Sequence, residues 1–416
     1  IEIRKIHTGL PKIMVNLLSS VVADDMQDVQ FTSEADNTLW RDIAEENTFD
    51  TLVKSAINKT LYTGDGAFKI SIDTDISKLP IIEFFEADRI KVKRKRGRVV
   101  EIIFKTAYSK DANTYILYEH YGKGYIRYEL KNSFDKEVDI DTLEQTAGLT
   151  NIEWDGDFML AEYISFYSSD KFEGRGQSVF DAKRDNFDAL DEAWSQWIDA
   201  LRAGRTKTYI PENLIPRNPN TGELLKPNTF DNRFIKLAPS MSENNDGKVS
   251  TESANIQHDS YLATYITALD LCLQGLISPS TLGIDTKKLD NAEAQREKEK
   301  ATLYTRQTIV TELQRVLPAL IQSVFYAYQT LNKLPLNDVE CDVTFGEYAN
   351  PSFESQVETV GKAKAQGIMS IEASIDELYG DSRDDEWKKE EVERLKAEQG
   401  IVTGVQEPAV NMDLVE

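Results

Sequence analysis

The sequence predicts an α+β fold in which helical and strand-rich stretches occupy separate parts of the chain. Three observations support it: helical spacing of apolar residues near the start, strand-like alternation from about residue 64 to 170, and a helical stretch from Asn291 to Lys333. The chain has 416 residues, well above the usual length of one domain, so we expect two or more structural units.

The first sixty residues are predicted to be helical. Apolar residues recur at close to helical spacing in Leu10–Val22 and again in Asp36–Leu61. The pattern changes to period two after the glycine turn Gly64-Asp65-Gly66, so a strand should begin there and extend to Ile70.

Residues from about 80 to 170 are predicted to form a meander of antiparallel strands, because β-branched and aromatic runs are separated by turn residues such as Gly97 and Gly122. A basic run from Lys91 to Arg98 lies within this region and turns at Gly97. It is typical of an exposed hairpin whose charges keep it soluble. A contact with a partner or with DNA stays open as the second interpretation.

Two helices are predicted on either side of a proline-rich segment. The first extends from Gly174–Ser178 to Ala203 and has an apolar stripe made of Phe187, Leu190, Trp194, Trp197 and Leu201. Residues 205–256 hold five of the twelve prolines and short strands such as Phe234–Leu237, and the helical pattern returns at His258–Leu276. This order predicts a helical hairpin with a small separate domain at its tip, in which the two tryptophans pack rather than bind a ligand.

The last part of the chain is predicted to be mostly helical. The stretch 291–333 should kink at Pro318, because proline removes a backbone donor and clashes with the preceding turn. A strand at Cys341–Phe345 and three helices, near 352–366, 370–379 and 384–399, should follow. Residues 352–416 carry 16 acids and 7 bases, so this end is distinctly acidic.

The charge balance limits the classes of function. Lys and Arg total 48 against 71 Asp and Glu, a net charge of −23, which argues against a protein that coats nucleic acid with a basic face. A protein that surrounds DNA without gripping it remains compatible with this charge. The apolar stretches are too short or too interrupted to span a bilayer, so we expect no membrane association and a cytoplasmic compartment. No signal peptide is visible, and Ile1 indicates that the native start has been trimmed.

Catalytic and metal-binding patterns are missing from the sequence. Two cysteines and three histidines argue against a zinc site or a disulfide framework, and no serine lies in a G-x-S-x-G motif. The nearest candidate is Gly64-Asp65-Gly66 as a phosphate loop, but such a loop follows a strand and opens a helix, whereas here the order is reversed. We therefore expect a protein without cofactor or enzymatic activity.

The order of these parts resembles that of bacteriophage portal proteins, in particular the portals of long-tailed phages that infect Gram-positive hosts. The resemblance covers roughly residues 1–400 and depends on the order of short motifs, each of them weak alone. The motifs are Leu61–Ile70, Phe84–Ile90, Gly174–Ser178, Ile277–Gly283, Asn291–Ala294 and Thr305-Arg306. The start and the acidic C-terminal end agree least.

The resemblance implies a portal fold and a ring of about twelve copies at one vertex of the phage head. Such a ring would be the platform for terminase during genome packaging, pass double-stranded DNA through its channel, and contact the major capsid and scaffolding proteins. It would later bind head–tail adaptor proteins and serve DNA ejection. The implied location is the virion, with assembly in the host cytoplasm.

The resemblance also assigns parts by position. It implies a wing (1–176 and 292–350), two stem helices (177–203 and 258–276), a clip (204–257), a tunnel loop (277–291) and a crown with an acidic tail (351–416). The implied channel residues of the tunnel loop are Ser278, Ser280, Thr281, Asp285, Lys287 and Lys288. The implied clip residues, for contacts with terminase, connector and neighbouring subunits, are Arg205, Lys207, Tyr209, Arg217, Lys226 and Arg233. Lys287 and Lys288 could equally be solvated loop lysines.

Two other classes of function stay open. A nucleotide-dependent enzyme would use Gly64–Gly66 to bind a phosphate. A helical scaffolding protein would be built on the stretch 291–333, although this stretch lacks sustained heptads and contains Pro318.

Overall fold

The computed structural model describes residues 5–205, 207–211, 217–223, 234–237, 250–252, 256–283, 292–346, 353–379 and 385–398. The described helices are α1 Leu10–Ala23, α2 Glu34–Glu46, α3 Phe49–Thr63, α4 Arg184–Ala203, α5 His258–Leu273, α6 Ala292–Leu331, α7 Phe353–Ala365, α8 Ile371–Tyr379 and α9 Asp385–Glu398. The described strands are β1 Gln30–Phe31, β2 Asp65–Ser71, β3 Ile81–Glu86, β4 Ile90–Lys95, β5 Arg98–Lys110, β6 Asn113–Gly122, β7 Tyr125–Asn132, β8 Glu137–Val138, β9 Ile152–Glu153, β10 Ala161–Ser165, β11 Lys207–Pro211, β12 Phe234–Leu237, β13 Ser250–Glu252 and β14 Cys341–Asp342. Helices and largely antiparallel sheets occupy separate stretches, so the α+β prediction is confirmed.

The chain divides into two compact units. The first contains 1–288 and 295–346, and the second contains 289–294 and 347–416. The range assigned to the crown by resemblance, 351–416, lies within the second unit. In the part of the chain that the structure describes, none of the helices has the length and apolar character needed to cross a bilayer.

The strands from about residue 80 to 170 belong to two sheets rather than to the single meander that the sequence predicted. Strands β4 to β8 do form a meander, with β9 paired to β7, but β3 pairs with β2 in a second sheet of order β10-β2-β3. The short 3-10 turn Ala87–Arg89 separates β3 from β4 and redirects the chain between the two sheets. Turns of this size leave no alternation in the sequence, which explains why the prediction merged the sheets.

Helix α6 passes through the core of the first unit. Its apolar positions Leu313, Leu317, Leu320, Ile321 and Val324 recur at spacings of three and four and are fully buried. Pro318 lies inside the helix. At about 25 cal/mol for each Å² of buried apolar surface, side chains of this size each contribute roughly 1.5–3 kcal/mol to folding.

The predicted single helix over 36–61 is divided into α2 and α3. Thr48 has a φ of 45°, in the left-handed region, and therefore ends the helical path. The Asn47 amide nitrogen donates to the carbonyl oxygens of Ile43 and Pro80, and its amide oxygen accepts from the backbone N–H of Ile82 at 2.7 Å. Asn47 thus joins the end of α2 to the start of β3.

The second unit contains α7, α8 and α9. Helices α8 and α9 run antiparallel, because Glu372 accepts from Lys396 while Asp376 accepts from Lys388 at 2.8 Å. The hydrogen bond from Lys396 lowers the pKa of Glu372 to about 2. The three helices predicted at this end of the chain are therefore confirmed, with bounds that differ by one residue.

Candidate functional site

Helices α4 and α5 form an antiparallel arm. Lys183, just before α4, donates through Nζ to the carbonyl oxygens of Leu271 (3.0 Å) and Gln274 (2.7 Å) at the end of α5. A cation beside the last carbonyls of a helix also interacts favourably with its dipole. At 1.5 Å per residue, the twenty residues of α4 make the arm about 30 Å long.

Aromatic rings hold the two helices of the arm together. The Tyr265 ring of α5 lies 5.6 Å from that of Trp194 and 6.2 Å from that of Trp197, and the Trp197 ring lies 5.7 Å from that of His258. Offset and edge-to-face pairs of this kind contribute roughly 0.5–1.5 kcal/mol beyond their buried area. The prediction that the two tryptophans serve as packing anchors is confirmed.

A small sheet stands at the tip of the arm, between the end of α4 and the start of α5. The middle strand β11 pairs with β12 in parallel and with β13 antiparallel, so that Tyr209 lies opposite Ile235 and Ser250. In the described part of the chain, β12 and β13 each have one paired edge only. Sheets of this size are marginal alone and gain stability from additional strands.

The residues assigned to the clip by resemblance fall at several places near this tip. Arg205 is exposed directly after α4, Lys207 and Tyr209 lie on β11, and exposed Arg217 donates to the carbonyl oxygen of Gly222 at 3.4 Å. The remaining two, Lys226 and Arg233, lie outside the described residues.

The chain segment before α1 is bound along α4, which the sequence analysis did not anticipate. The Asp191 carboxylate accepts from the backbone N–H and hydroxyl of Thr8 (2.8 and 2.9 Å) and lies 2.7 Å from His7 Nδ1, while Ser195 Oγ accepts from the backbone N–H of Ile6. Burial alone would raise the pKa of Asp191, but the hydrogen bonds from Thr8 and His7 outweigh it and lower that pKa. Asp191 and Ser195 are four residues apart, next to the apolar residues of the stripe on α4. Such a polar pair is the sequence signal that could have revealed this contact.

At the base of the arm, the two glycine motifs of the sequence interlock. The Asp65 side chain is 1% exposed and accepts from Arg175 Nε (2.6 Å), Arg175 Nη2 (2.7 Å), the Gly176 N–H (2.8 Å) and the Tyr163 hydroxyl (2.8 Å). A Cβ on Gly176 would lie 2.1 Å from the carbonyl oxygen of Gly64, so the backbones meet only because both residues are glycine. The carboxylate of Gly64-Asp65-Gly66 is therefore buried, and both of its oxygens accept hydrogen bonds.

The first half of the predicted tunnel loop is fixed to α6. Ser278 is 2% exposed and its backbone N–H donates to Thr302 Oγ1 at 2.9 Å, and the Thr281 hydroxyl lies 2.8 Å from the same oxygen. Thr305 Oγ1 donates to the carbonyl oxygen of Leu276. Thr302 of α6 therefore holds Ser278 and Thr281 of the predicted tunnel loop in place. Asp285, Lys287 and Lys288 lie outside the described residues.

The surface of the arm combines exposed apolar residues with carboxylates. On α5, Leu262 and Ile266 are 37% and 47% exposed and form a short apolar strip, although the helix also packs in the core. Leu271, on the opposite side of the helix from Leu262, is 46% exposed. On α4, the exposed acids are Asp185, Asp188 and Glu192. An apolar strip of this kind on a packed helix indicates a further surface that covers it.

Among the described residues, no group of three or more His, Cys, Asp or Glu side chains is placed to hold a metal ion. Burial raises the pKa of Cys272 and of Cys341 to about 11, which disfavours the nucleophilic thiolate at neutral pH.

Comparisons with known proteins give weak likenesses only. No protein-family model matches the chain, and no curated protein matches it. One similar solved structure is described as the virion of a native gene transfer agent particle, with 14% identity and a TM-score of 0.44 over 87% of this chain and 86% of the other. Another is the neck of an empty gene transfer agent particle computed with C6 symmetry, with 13% identity and a TM-score of 0.39 over 87% of each chain. Likenesses at this level carry no argument about fold or function.

Proposed function

We propose that this chain is a portal subunit: copies form a closed ring of about twelve whose central channel conducts double-stranded DNA at one vertex of a phage head. The observation that carries the proposal is the arm, a pair of antiparallel helices with its own small sheet between them in sequence and at its tip. In the portal proteins that the sequence resembles, these are the stem and the clip.

The exposed apolar strip of the arm supports ring formation. Leu262 and Ile266 are spaced by one helical turn, so their side chains lie on one side of α5. Burial of such a strip by a neighbouring copy would stabilise the assembly in proportion to its apolar area. If the strip of one copy contacts a different surface of the next copy, the interface is heterologous. Repetition of such an interface gives a ring when the rotation from copy to copy adds up to a full turn.

The acidic surface suits a channel through which DNA slides. Each phosphate contact made by a basic side chain binds the strand and slows its passage, so a conduit with a net charge of −23 per copy retains little of the DNA that it conducts. The outer edges of β12 and β13, which are unpaired among the described residues, would supply backbone donors and acceptors for pairing between copies at the clip. We propose terminase and the head–tail adaptors as partners at this clip, and the capsid and scaffolding proteins as partners of the assembled ring.

The two alternatives fit the geometry less well. A phosphate would meet the buried Asp65 carboxylate at Gly64–Gly66, and Arg175 already occupies that carboxylate. A scaffolding role for α6 requires an exposed helix, whereas its central residues lie in the core of the first unit. We therefore propose a structural protein without enzymatic activity.

Negative-stain microscopy and native mass spectrometry of the purified protein test the proposal. We expect rings of about twelve copies, or thirteen when no capsid is present, with a central hole about as wide as a DNA duplex. Monomers or dimers over a wide range of concentration would contradict it. ATP hydrolysis that is abolished by Asp65→Asn but retained after an exposed change such as Asp88→Asn would favour the enzyme instead.

A further inference from the structure

The basic hairpin formed by β4 and β5 projects a rigid, cationic tip. Lys95, Arg96 and Arg98 are exposed, and none of them has an ion-pair partner in the described part of the chain. Arg94 joins the hairpin to the rest of the unit. Its Nε donates to the carbonyl oxygen of Gly174 at 2.9 Å, and its guanidinium lies 4.7 Å from the centre of the Tyr163 ring.

The turn itself places an arginine where a smaller residue would be less strained. Arg96 and Gly97 have φ values of 53° and 78°, the left-handed pair of a two-residue hairpin turn. Asn or Gly is usual at the first position, since a longer side chain costs conformational energy there. Arg96 nevertheless occupies this turn position, and its side chain is exposed.

A concave acidic surface lies elsewhere on the same unit. A recess of about 650 Å³ between the segment before β1 and helices α2 and α3 is lined by four carboxylates and one base: Asp28, Glu34, Glu45, Asp50 and Arg41. All five side chains are exposed, and none of the carboxylates has an ion-pair partner among the described residues. This recess has the charge opposite to that of the hairpin tip.

The tip and the recess of one copy lie on different sides of α6. Ala319 faces the cavity beside the hairpin, which Arg94 and Arg98 also line, whereas the Phe325 ring lies 5.4 Å from that of Phe31, next to α2. Ala319 and Phe325 are six residues apart, which at about 100° per residue places their side chains about 120° apart around the axis of α6. One copy can therefore present its recess to a neighbour on one side while it inserts its hairpin into a neighbour on the other.

We propose that the hairpin tip Lys95–Arg98 of one copy docks into the Asp28, Glu34, Glu45 and Asp50 recess of the next copy. The proposal rests on the ring proposed above, and it assigns to the basic run a protein contact rather than a DNA contact. The recess supplies several carboxylates around one inserted guanidinium, and Arg is suited to such planar, multiple hydrogen bonding. Complementary charges of this kind also fix the register of the two copies.

Charge reversal tests this contact. The tip variant Lys95→Glu/Arg96→Glu and the recess variant Glu34→Lys/Glu45→Lys should each raise the protein concentration needed for ring assembly at least about tenfold, because like charges then face each other. Combining all four changes in one chain should restore assembly to within about threefold of the original protein. The control Lys12→Glu/Lys136→Glu makes the same change of net charge as the tip variant, on exposed lysines elsewhere, and should assemble normally.

Cross-linking separates this contact from the ring itself. Mixing Arg96→Cys chains with Glu45→Cys chains under mild oxidation should give a disulfide-linked heterodimer, well above the yield from Lys136→Cys with Glu45→Cys. If the original protein forms no rings but the specific heterodimer appears, the docking stands and the ring proposal fails. If rings form but neither the reversal nor the cross-link has an effect, the docking is wrong. Intact rings of the tip variant that bind or retain less DNA would instead assign the hairpin to DNA and overturn the proposal.

Discussion

Arg175 and Asp65 form a bidentate ion pair between residues 110 positions apart in the sequence, with Nε–Oδ2 and Nη2–Oδ1 distances of 2.6 and 2.7 Å. The pair fastens the turn after α3 to the segment that leads into the arm. Because Asp65 is almost fully buried, removal of its partner would leave a charge that water does not reach.

Arg175→Met should therefore be strongly destabilising. Loss of one partner of a buried ion pair typically costs about 3–5 kcal/mol. Urea denaturation followed by circular dichroism measures the change in the free energy of unfolding. The control is Lys171→Met, which removes an exposed pair with Asp181 and should cost less than about 1 kcal/mol. Equal effects of the two changes would show that the Asp65 pair does not hold the base of the arm.

Replacement of Gly176 by any residue with a side chain should destabilise the fold. In Gly176→Ala, the new Cβ would overlap the backbone of Gly64, which can relax only by separating the two segments. We expect a loss of about 1–3 kcal/mol, as for other overpacked sites, measured as a lower thermal midpoint. Gly346→Ala is the comparison, because its Cβ would lie 3.6 Å from the nearest atom, an ordinary contact. A midpoint for Gly176→Ala as high as that for Gly346→Ala would contradict this account.

The sequence predicted the helices and the arm well, because these depend on local periodicity. The stripe from Phe187 to Leu201 and the proline-rich segment after it mark the arm without any knowledge of its neighbours. The interlock of Asp65 with Arg175 could not be predicted, because nothing local indicates which of many carboxylates meets which arginine. Asn47 also escaped prediction: its side chain joins the end of α2 to Pro80 and Ile82, more than thirty positions away.

Buried contacts of the predicted tunnel loop also could not be predicted from sequence. Ser278 and Thr281 have a composition typical of a loop, yet Thr302 on the next helix binds both of them, and Thr305 donates to the nearby carbonyl oxygen of Leu276. From sequence alone, a polar side chain in a helix is predicted to be exposed on the surface, whereas Thr302 is fully buried.

Thr302→Val should loosen this half of the predicted tunnel loop. The change keeps the shape of the side chain but removes the acceptor of the buried Ser278 N–H, which should cost about 1–3 kcal/mol. Hydrogen exchange should become faster at Ser278 and its neighbours, while the rest of α6 stays protected. The exposed change Thr311→Val loses only bonds with Gln307 within the helix and should leave that exchange unchanged. Unaltered exchange at Ser278 in Thr302→Val would refute the anchoring role.

Stability should depend on pH through Glu162. Burial raises its pKa from 4.5 to about 7, against a smaller opposite effect of Arg315. Between these two pH values the folded chain keeps a proton that the unfolded chain has lost, so this group makes stability fall as pH rises through that window. The total is about 3 kcal/mol, at about 1.4 kcal/mol for each pH unit.

Glu162→Gln should remove this part of the pH dependence. The measurement is the free energy of unfolding at pH 5 and pH 8 for the original protein and the variant, since the difference cancels other titrating groups. The variant should gain stability relative to the original protein mainly at pH 8. Glu137→Gln, at an exposed position on β8, should show no such difference. A pH profile unchanged by Glu162→Gln would rule out its titration in this window.

The apolar strip of α5 gives the sharpest test of assembly within the arm. Ile266 is 47% exposed in the single chain, so Ile266→Asp should leave the fold and the thermal midpoint of isolated chains nearly unchanged. If a neighbouring copy covers this strip, a carboxylate there must lose its water without gaining a partner, and rings should be lost or need much higher protein concentration. Thr267→Asp introduces the same charge at the adjacent exposed position. We expect sedimentation velocity to show rings for the original protein, mostly single chains for Ile266→Asp, and a smaller effect for Thr267→Asp. Rings of Ile266→Asp that are as stable as those of the original protein would place the interface between copies elsewhere on the chain.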